Sequence, residues 1–449
     1  MESTRAGRRG RVLVGVLALL MLAATAEIVL DGALGHSPLI PKSPAIAGWL
    51  QGIGERLGYR IFLIAILVFA CAYAGMLALA RQISARWAIV LVAALHAIVF
   101  AGPILLSTDV FSYIAYARMG VQHGLNPYLH GPSSILHDPV YRYVGTDWKH
   151  VATVYGPIYT LISYPFGLLG VTGAVWGMKL LALLASAGTL TLTWRCACVR
   201  ELNPVVALLA VGANPLYIVY GLGGAHNDML MLLLMMAAVS LALVERPAAE
   251  TRIDGAVVRA GTAAGGRVRA GMAAGLVVVG ALVKATVAAL LPFMILSKRR
   301  LAPVLGALIA LGLGALSGYA AFGVHGIDVV SALNRDAAFV STDSFPTEIA
   351  HLFGKPGVFP VDHYLLKAAL VLIVLYLLWR TWRGYDWVAA SGWTLLAISV
   401  TSTWLLAWYI LWPLPLAVIA RDRRLLAATL AVQALFIAHQ VAPLIAPVP

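Results

Sequence analysis

Runs of apolar residues long enough to cross a bilayer recur from one end of the sequence to the other. A crossing takes about 20 residues in helical conformation. Runs of this kind fall near 12–30, 61–80, 87–106, 172–194, 204–221, 226–244, 271–297, 301–323, 363–381, 387–403, 404–420 and 424–445. A shorter run, 155–170, is interrupted by Pro157 and Pro165. The chain is 61% hydrophobic and 11% charged, against about 25% charged in a soluble domain. No water-soluble core hides so much apolar surface. The runs also lack the strict alternation of barrel strands. The expectation is an all-α polytopic membrane protein, one domain over 1–449, with about 11 to 13 hydrophobic segments, some broken or re-entrant.

The net charge of +13 then speaks of orientation, not of nucleic acid, because Lys and Arg concentrate on the cytoplasmic side. Assigning the N-terminus and the segments 81–86, 195–200, 245–270, 298–300, 380–383 and 421–424 to the cytoplasm gathers about two thirds of the 32 basic residues there. Most of the 19 acidic residues fall on or near the other side. This arrangement requires that 155–170 not cross fully and that 271–297 enter and leave from one side. Irregular backbone at membrane depth is tolerated only where it lines a protein cavity, so the broken segments should border the site. The external loops become 31–59, with room for a surface helix, 107–154 and 324–362. The stretch 245–270, rich in Arg, Ala and Gly, reads as a flexible cytoplasmic loop.

The first basic-then-apolar stretch resembles a signal peptide, but it is long enough to span and reads as a retained helix. Cys71, Cys196 and Cys198 predict no disulfide, and a lone C-x-C is a weak metal signal. His123, His130, His137 and His150 are separated by Gly and Pro and form no ligand motif, so no metal is expected. His96 reads as a packed, hydrogen-bonded core residue. Lys179 and Lys367, near span ends, read as snorkelling.

Four stretches carry polar chemistry. The first is STDVFSYIAYARMGVQHGLNPY, Ser107 to Tyr128. Thr108, or alternatively Ser107, can cap a helix that begins at Asp109. Asp109, Tyr113 and Tyr116 share one face of that helix, and Arg118, His123 and Asn126 follow. Val110, Phe111, Ile114 and Ala115 suit packing on the bilayer or the bundle, and the segment suits an interfacial helix. A carboxylate among aromatic and hydrogen-bonding side chains can serve a sugar; the competing reading is a capping Asp favoured by the helix dipole. The second is NPLYIVYGLGGAHNDML, where a glycine turn leads into His226, Asn227 and Asp228. It is either a donor–acceptor cluster or a helix cap. The third is VVVGALVKATVAALLPF. Lys284 sits alone there, and a charge at such a position costs roughly 2.5–3.5 kcal/mol, so it needs an anionic partner, or else snorkels. The fourth is the loop 324–362, with His325, Arg335, Asp336, Asp343, Glu348, His351, Lys355, Asp362 and His363, where a binding role is open.

These motifs, with YGPIY at Tyr155, resemble in order the bacterial polyprenol-phosphate-mannose-dependent α-1,6-mannosyltransferases, integral membrane enzymes of the GT-C fold class. The likeness covers about Ser107 to Phe293; beyond residue 300 it is one of hydropathy. The chain departs from the family at the start of the outer loop, where Ser-Thr-Asp stands in place of two acidic residues or Arg-Asp. The resemblance implies an inverting transferase on the outer face of the plasma membrane. A polyprenyl-phosphate sugar, most simply mannose, is the donor, and a glycan or glycolipid hydroxyl is the acceptor. Arabinofuranose transfer, or movement of a lipid-linked sugar without bond formation, is the alternative. Asp109 is carried over as the base. Lys284 and Arg118 fall to the donor phosphate. Tyr113, Tyr116, His123, Asn126, Tyr155, His226, Asn227, Asp228 and His351 fall to the substrates. A phosphate already leaves readily, so neither a metal nor another cofactor is implied.

Overall fold

A computed structural model describes residues 2–33, 59–243, 251–253, 256–258, 262–298, 301–328 and 340–444. The surface helix expected within 31–59, and Arg335 and Asp336, lie outside the described residues or almost entirely so. Among the described residues, six helices are long and apolar enough to cross a membrane. They contain Gly10–Ala33, Tyr59–Gln82, Val171–Val199, Leu301–Ile327, Pro360–Trp382 and Arg423–Leu444. A seventh span is a bent pair, Pro204–Gly212 with Leu216–Leu222, and five shorter apolar helices accompany it. The chain is therefore a multi-pass membrane protein whose spans are all helical, with about a dozen apolar segments among the described residues. A small antiparallel hairpin pairs β1 (Thr251–Ile253) with β2 (Ala256–Val258).

Helix α1 (Glu2–Ala33) packs on both α2 (Tyr59–Leu79) and α3 (Ala85–Ala101). Ser84 starts α3 by accepting from the Trp87 amide. The run expected to continue to residue 106 stops at Ala101, and an extended arm leads into α4 (Asp109–His123). Every residue of α4 from Asp109 to Met119 is buried. Of the bilayer and bundle packing left open for Val110, Phe111, Ile114 and Ala115, the structure shows the bundle: they are buried, and α4 packs against α5 (Pro157–Gly167) and α6 (Val171–Val199). With 11 residues, α5 reaches only about 16 Å, too little to cross.

Three hairpins follow, each broken at its turn. The first joins α7 (Pro204–Gly212), with a π-helical turn Leu216–Leu222, to α8 (Asp228–Leu243). Asn203 caps α7 and Pro204 opens it, a favoured pairing because proline has no amide to satisfy at that position. The second joins α9 (Thr262–Ala281) to a 3-10 turn, Ala285–Leu290, and α10 (Leu291–Lys298). The helix starts at 262, so the basic loop expected at 245–270 is shorter. The third follows α11 (Leu301–Phe322), α12 (Phe345–Leu352) and α13 (Pro360–Trp382). It joins α14 (Trp387–Thr401) to a 3-10 turn, Ala407–Leu411, and α15 (Leu414–Ile419). The expected continuous span 404–420 is in fact this broken return. Helix α16 (Arg423–Val441) closes the bundle.

Side-chain bonds tie the connections into two sets. At one end Arg200 donates to Asp386, the Arg421 amide donates to the same carboxylate, and Tyr385 and Trp393 donate to Asp422. Asp386 and Asp422 also cap α14 and α16. At the other end lie the arm 102–108 and the three hairpin turns 223–227, 282–284 and 402–406.

Candidate active site

The site is built where those turns meet. The Leu105 amide donates to the Gly223 carbonyl at 2.9 Å, joining the arm before α4 to the first turn. Backbone strain lies beside both partners: Leu106 has φ +60° and Ala225 φ +50°. Non-glycine residues rarely hold such angles unless the surroundings enforce them. The Gly156 amide donates to the Val283 carbonyl, and that of Ile158 to Leu282. A Cβ at Gly156 would stand 2.0 Å from the Leu282 carbonyl oxygen, so only glycine permits this approach.

Asp109 opens α4 with its side chain 13% exposed. Ser107, not Thr108, supplies the side-chain oxygen here, accepting from the Asp109 amide at 3.1 Å; Thr108 makes no capping bond. His226 approaches Asp109 Oδ2 with Nδ1 at 3.5 Å. Its ring stacks on Trp408, centroids 3.5 Å apart and planes 22° apart. Asn227 accepts from the Tyr113 hydroxyl at 3.5 Å, while its Nδ2 is buried without a partner among the described residues. Tyr113 meets Tyr155 and Tyr159 edge-on, centroids 4.8 and 5.0 Å away.

Asp228 is fully buried, and Lys284 answers it. The ammonium lies 2.9 and 3.0 Å from the two carboxylate oxygens. Trp412 Nε1 donates to the same carboxylate at 2.5 Å. The Lys284 ammonium also sits 4.3 Å above the Tyr409 ring and 5.2 Å above that of Trp412. Lys284 therefore does not snorkel. Its charge is matched by a carboxylate and two π faces, and its side chain keeps 16% exposure. Two of its three N–H groups can serve Asp228, which leaves a donor for an anion. Asp109, His226, Asn227, Asp228 and Lys284 thus form one continuous polar cluster inside an apolar bundle. Such a cluster is the default candidate for a functional site.

Other expected residues serve the scaffold. Arg118 does not reach for a phosphate: its Nε lies 2.8 and 2.9 Å from the Asp138 oxygens, and Nη1 donates to the Leu169 carbonyl at 2.9 Å. His123 Nε2 contacts the same carboxylate at 2.8 Å. Asn126 donates to the Phe322 carbonyl and accepts from the Tyr128 amide. Tyr116 donates to the Val151 carbonyl at 2.8 Å. His351 lies on α12, half-exposed beside Glu348 at 3.9 Å. In Arg118, His123, Asn126 and Tyr116 these bonds occupy groups expected to meet substrate, whereas the contact of His351 is loose and leaves its ring exposed. Lys179 does not snorkel either: it is buried, donates to the Gly102 carbonyl, and lies over Trp176 and Phe100. His96 is packed as expected, bonded to the Val92 carbonyl and Ser186.

Trp408, Tyr409, Trp412 and Tyr159 join the site without having been expected there. The first three lie in LLAWYILWP, a stretch that reads as an ordinary span.

Comparison with known proteins places the chain among mannosyltransferases. Residues 12–300 match the family model described as α-(1→6)-mannopyranosyltransferase, N-terminal domain. The chain belongs to this family of mannosyltransferases. Residues 357–443 match a second model, the MptB C-terminal domain, so the likeness past residue 300 goes beyond hydropathy. The chain is 28% identical to the α-(1→6)-mannopyranosyltransferase A of Mycobacterium tuberculosis, over 90% of this chain and 80% of that protein. It is 31% identical to the enzyme of the same name from Corynebacterium glutamicum, over 48% of this chain and 42% of that protein. The α-(1→6)-mannopyranosyltransferase B of C. glutamicum is 27% identical over 31% of this chain and 24% of its own length. No solved structure matches the chain. This mannosyltransferase of the GT-C type thus carries its polar cluster within the region matched by the N-terminal model, while Trp408, Tyr409 and Trp412 come from the C-terminal one.

Proposed function

We propose that this mannosyltransferase moves mannose from a polyprenyl-phosphate donor to a hydroxyl of a glycan or glycolipid acceptor, with inversion, and that Asp109 is the general base. The observation that carries this reading is the joining of Asp109 to Lys284 through His226, Asn227 and Asp228 in one buried polar cluster. A base and an anion-binding cation are the two groups such a transfer needs. The acceptor hydroxyl gives its proton to Asp109 as its oxygen attacks the anomeric carbon. The bond from that carbon to the phosphate oxygen breaks, and the electron pair leaves with the phosphate. The leaving group is stable as an anion, so no general acid is needed, unlike glycoside hydrolysis with its second carboxyl group. Negative charge grows on the departing phosphate, and a donor fixed beforehand at that point lowers the barrier. Lys284 fills this role with the N–H that Asp228 leaves free. Asn227 Nδ2 and the Tyr113–Tyr155–Tyr159 group offer the sugar a donor and an aromatic wall.

The site faces the exterior of the plasma membrane in this reading. Support comes from the chain's two sets of connections. Arg81, Arg86, Arg200, Arg383, Arg421, Arg423 and Arg424 lie in or beside connections of the set away from Asp109, and basic residues favour the cytoplasm. A lipid-phosphate donor then reaches the cluster sideways from the outer leaflet.

Transfer is tested in proteoliposomes supplied with polyprenyl-phosphate mannose and an α-mannoside acceptor. Formation of a new glycosidic bond is the expected outcome. Passage of the sugar-lipid across the bilayer with no new bond would reject transfer in favour of transport.

A further inference from the structure

We infer that His226 is a positioning residue for the Asp109 carboxylate and not a sugar ligand; the inference rests on Asp109 being the base. The imidazole is fully buried. Trp408 covers a face of the ring. At its edge, Gly224 closes the space: a Cβ there would lie 2.4 Å from Nε2. The following residue, Ala225, holds φ +50°, so the turn directly before the ring is strained. Neither ring nitrogen has a hydrogen-bond partner among the described residues. Among them, the charged group within ion-pair reach of the ring is Asp109, with Oδ2 3.5 Å from Nδ1. A ring walled in this way has one use for its Nδ1–H, and that use is toward Oδ2.

The separation is slightly long for a strong hydrogen bond. Catalytic hydrogen bonds are often long before substrate binds and shorten in the complex. Once Oδ2 is held, Oδ1 is the oxygen left for the acceptor hydroxyl, and its direction is set. In the transfer step the acceptor proton goes to Asp109 Oδ1 while the acceptor oxygen bonds the anomeric carbon and the phosphate departs with its electron pair. His226 exchanges no proton with substrate; it fixes the direction of the base.

The experiment uses the full chain in proteoliposomes, with farnesyl-phosphate mannose as donor probe and octyl α-mannoside as acceptor probe. His226→Phe keeps a ring on Trp408 and deletes the Nδ1–H. His226→Asn loses the ring but offers an amide N–H near the position of Nδ1. A hydrogen bond to a charged group is worth enough to predict a roughly 10- to 100-fold drop in kcat for His226→Phe, with KM for both probes unchanged, and recovery of most of that loss in His226→Asn. A raised KM with intact kcat in His226→Phe would make His226 a substrate ligand and overturn the inference, as would an Asn variant no better than Phe. If the Phe variant fails to fold, the Asn variant decides alone: kcat near wild type supports the inference, and a loss beyond 10-fold refutes it. Asp109→Asn, assayed in parallel, separates the two readings. Full activity there would remove the base itself, whereas its inactivity beside an unaffected His226→Phe would remove only the positioning role.

Discussion

Lys284 and Asp228 lie 56 residues apart in sequence and form a two-oxygen ion pair at 2.9 and 3.0 Å, between two hairpin turns and beneath Trp412. Removing one partner of a buried pair leaves the other charged and unanswered, at a cost of about 3–5 kcal/mol. Lys284→Met and Asp228→Leu are each expected to lower the thermal midpoint in detergent sharply. Together they should recover most of that stability, since an apolar pair is tolerated there, yet remain inactive. Calorimetry and the transfer assay on all three variants check this; activity in the double variant would show that the pair is structural only.

Arg118 and His123 hold Asp138, and through it the loop 124–156 against α4. Burial pushes the Asp138 carboxyl up, but the hydrogen bonds from Arg118, His123 and the Val140 amide outweigh it and hold the group below the ordinary carboxylate value. A carboxylate depressed in the folded state adds stability above its unfolded pKa of about 3.9, and that stability is lost as pH falls through the folded value. The wild type should therefore lose thermal stability on acidification below about pH 4, and Asp138→Asn should lack this component. Melting curves across pH 3–6 (about two units around the unfolded value) measure it. Arg118→Gln is expected to lower stability without raising KM for the donor.

Gly156 presses on the turn that carries Lys284. A methyl group 2.0 Å from the Leu282 carbonyl oxygen forces one backbone segment to move. Overpacking of this kind costs about 1–3 kcal/mol. Gly156→Ala should therefore lose both stability and transfer activity, while Gly170→Ala, where the new methyl group meets nothing, should lose neither. A Gly156→Ala enzyme with full activity would show that the contact does not set the Lys284 position.

The sidedness of the site is open to an impermeant thiol reagent. Cys198 is exposed and lies beside Arg200 in the set of connections away from Asp109. His137 is exposed in the loop 124–156. In intact cells His137→Cys should be labelled from outside, and Cys198 only after permeabilisation. The reverse pattern would put Asp109 on the cytoplasmic face.

Much of the site could be read from the sequence, for one physical reason. Asp109, Asp228 and Lys284 interrupt apolar runs, and a charge there must be matched, so each announces a polar neighbourhood. Their meeting in one cluster was not readable, because it joins the arm before α4 to two separate hairpin turns. Arg118 and His123 show the same limit from the other side: their polarity suggested substrate, but Asp138, 20 and 15 residues away, takes them. Trp408, Tyr409 and Trp412 carry no such signal. Aromatic residues are ordinary in a span, and neither Pro nor Gly marks the break at 402–406. The burial of α4 depends on which helices surround it, and its own amphipathic pattern fits a membrane surface just as well.

In the proposed reaction the Asp109 carboxylate removes the acceptor proton. Its most direct measure is kcat for mannosyl transfer by Asp109→Asn beside equilibrium binding of the lipid-phosphate donor. A fall of roughly 10²- to 10⁴-fold in kcat is expected, the usual contribution of a general base, with donor binding retained. Turnover by Asp109→Asn at the wild-type rate would contradict it.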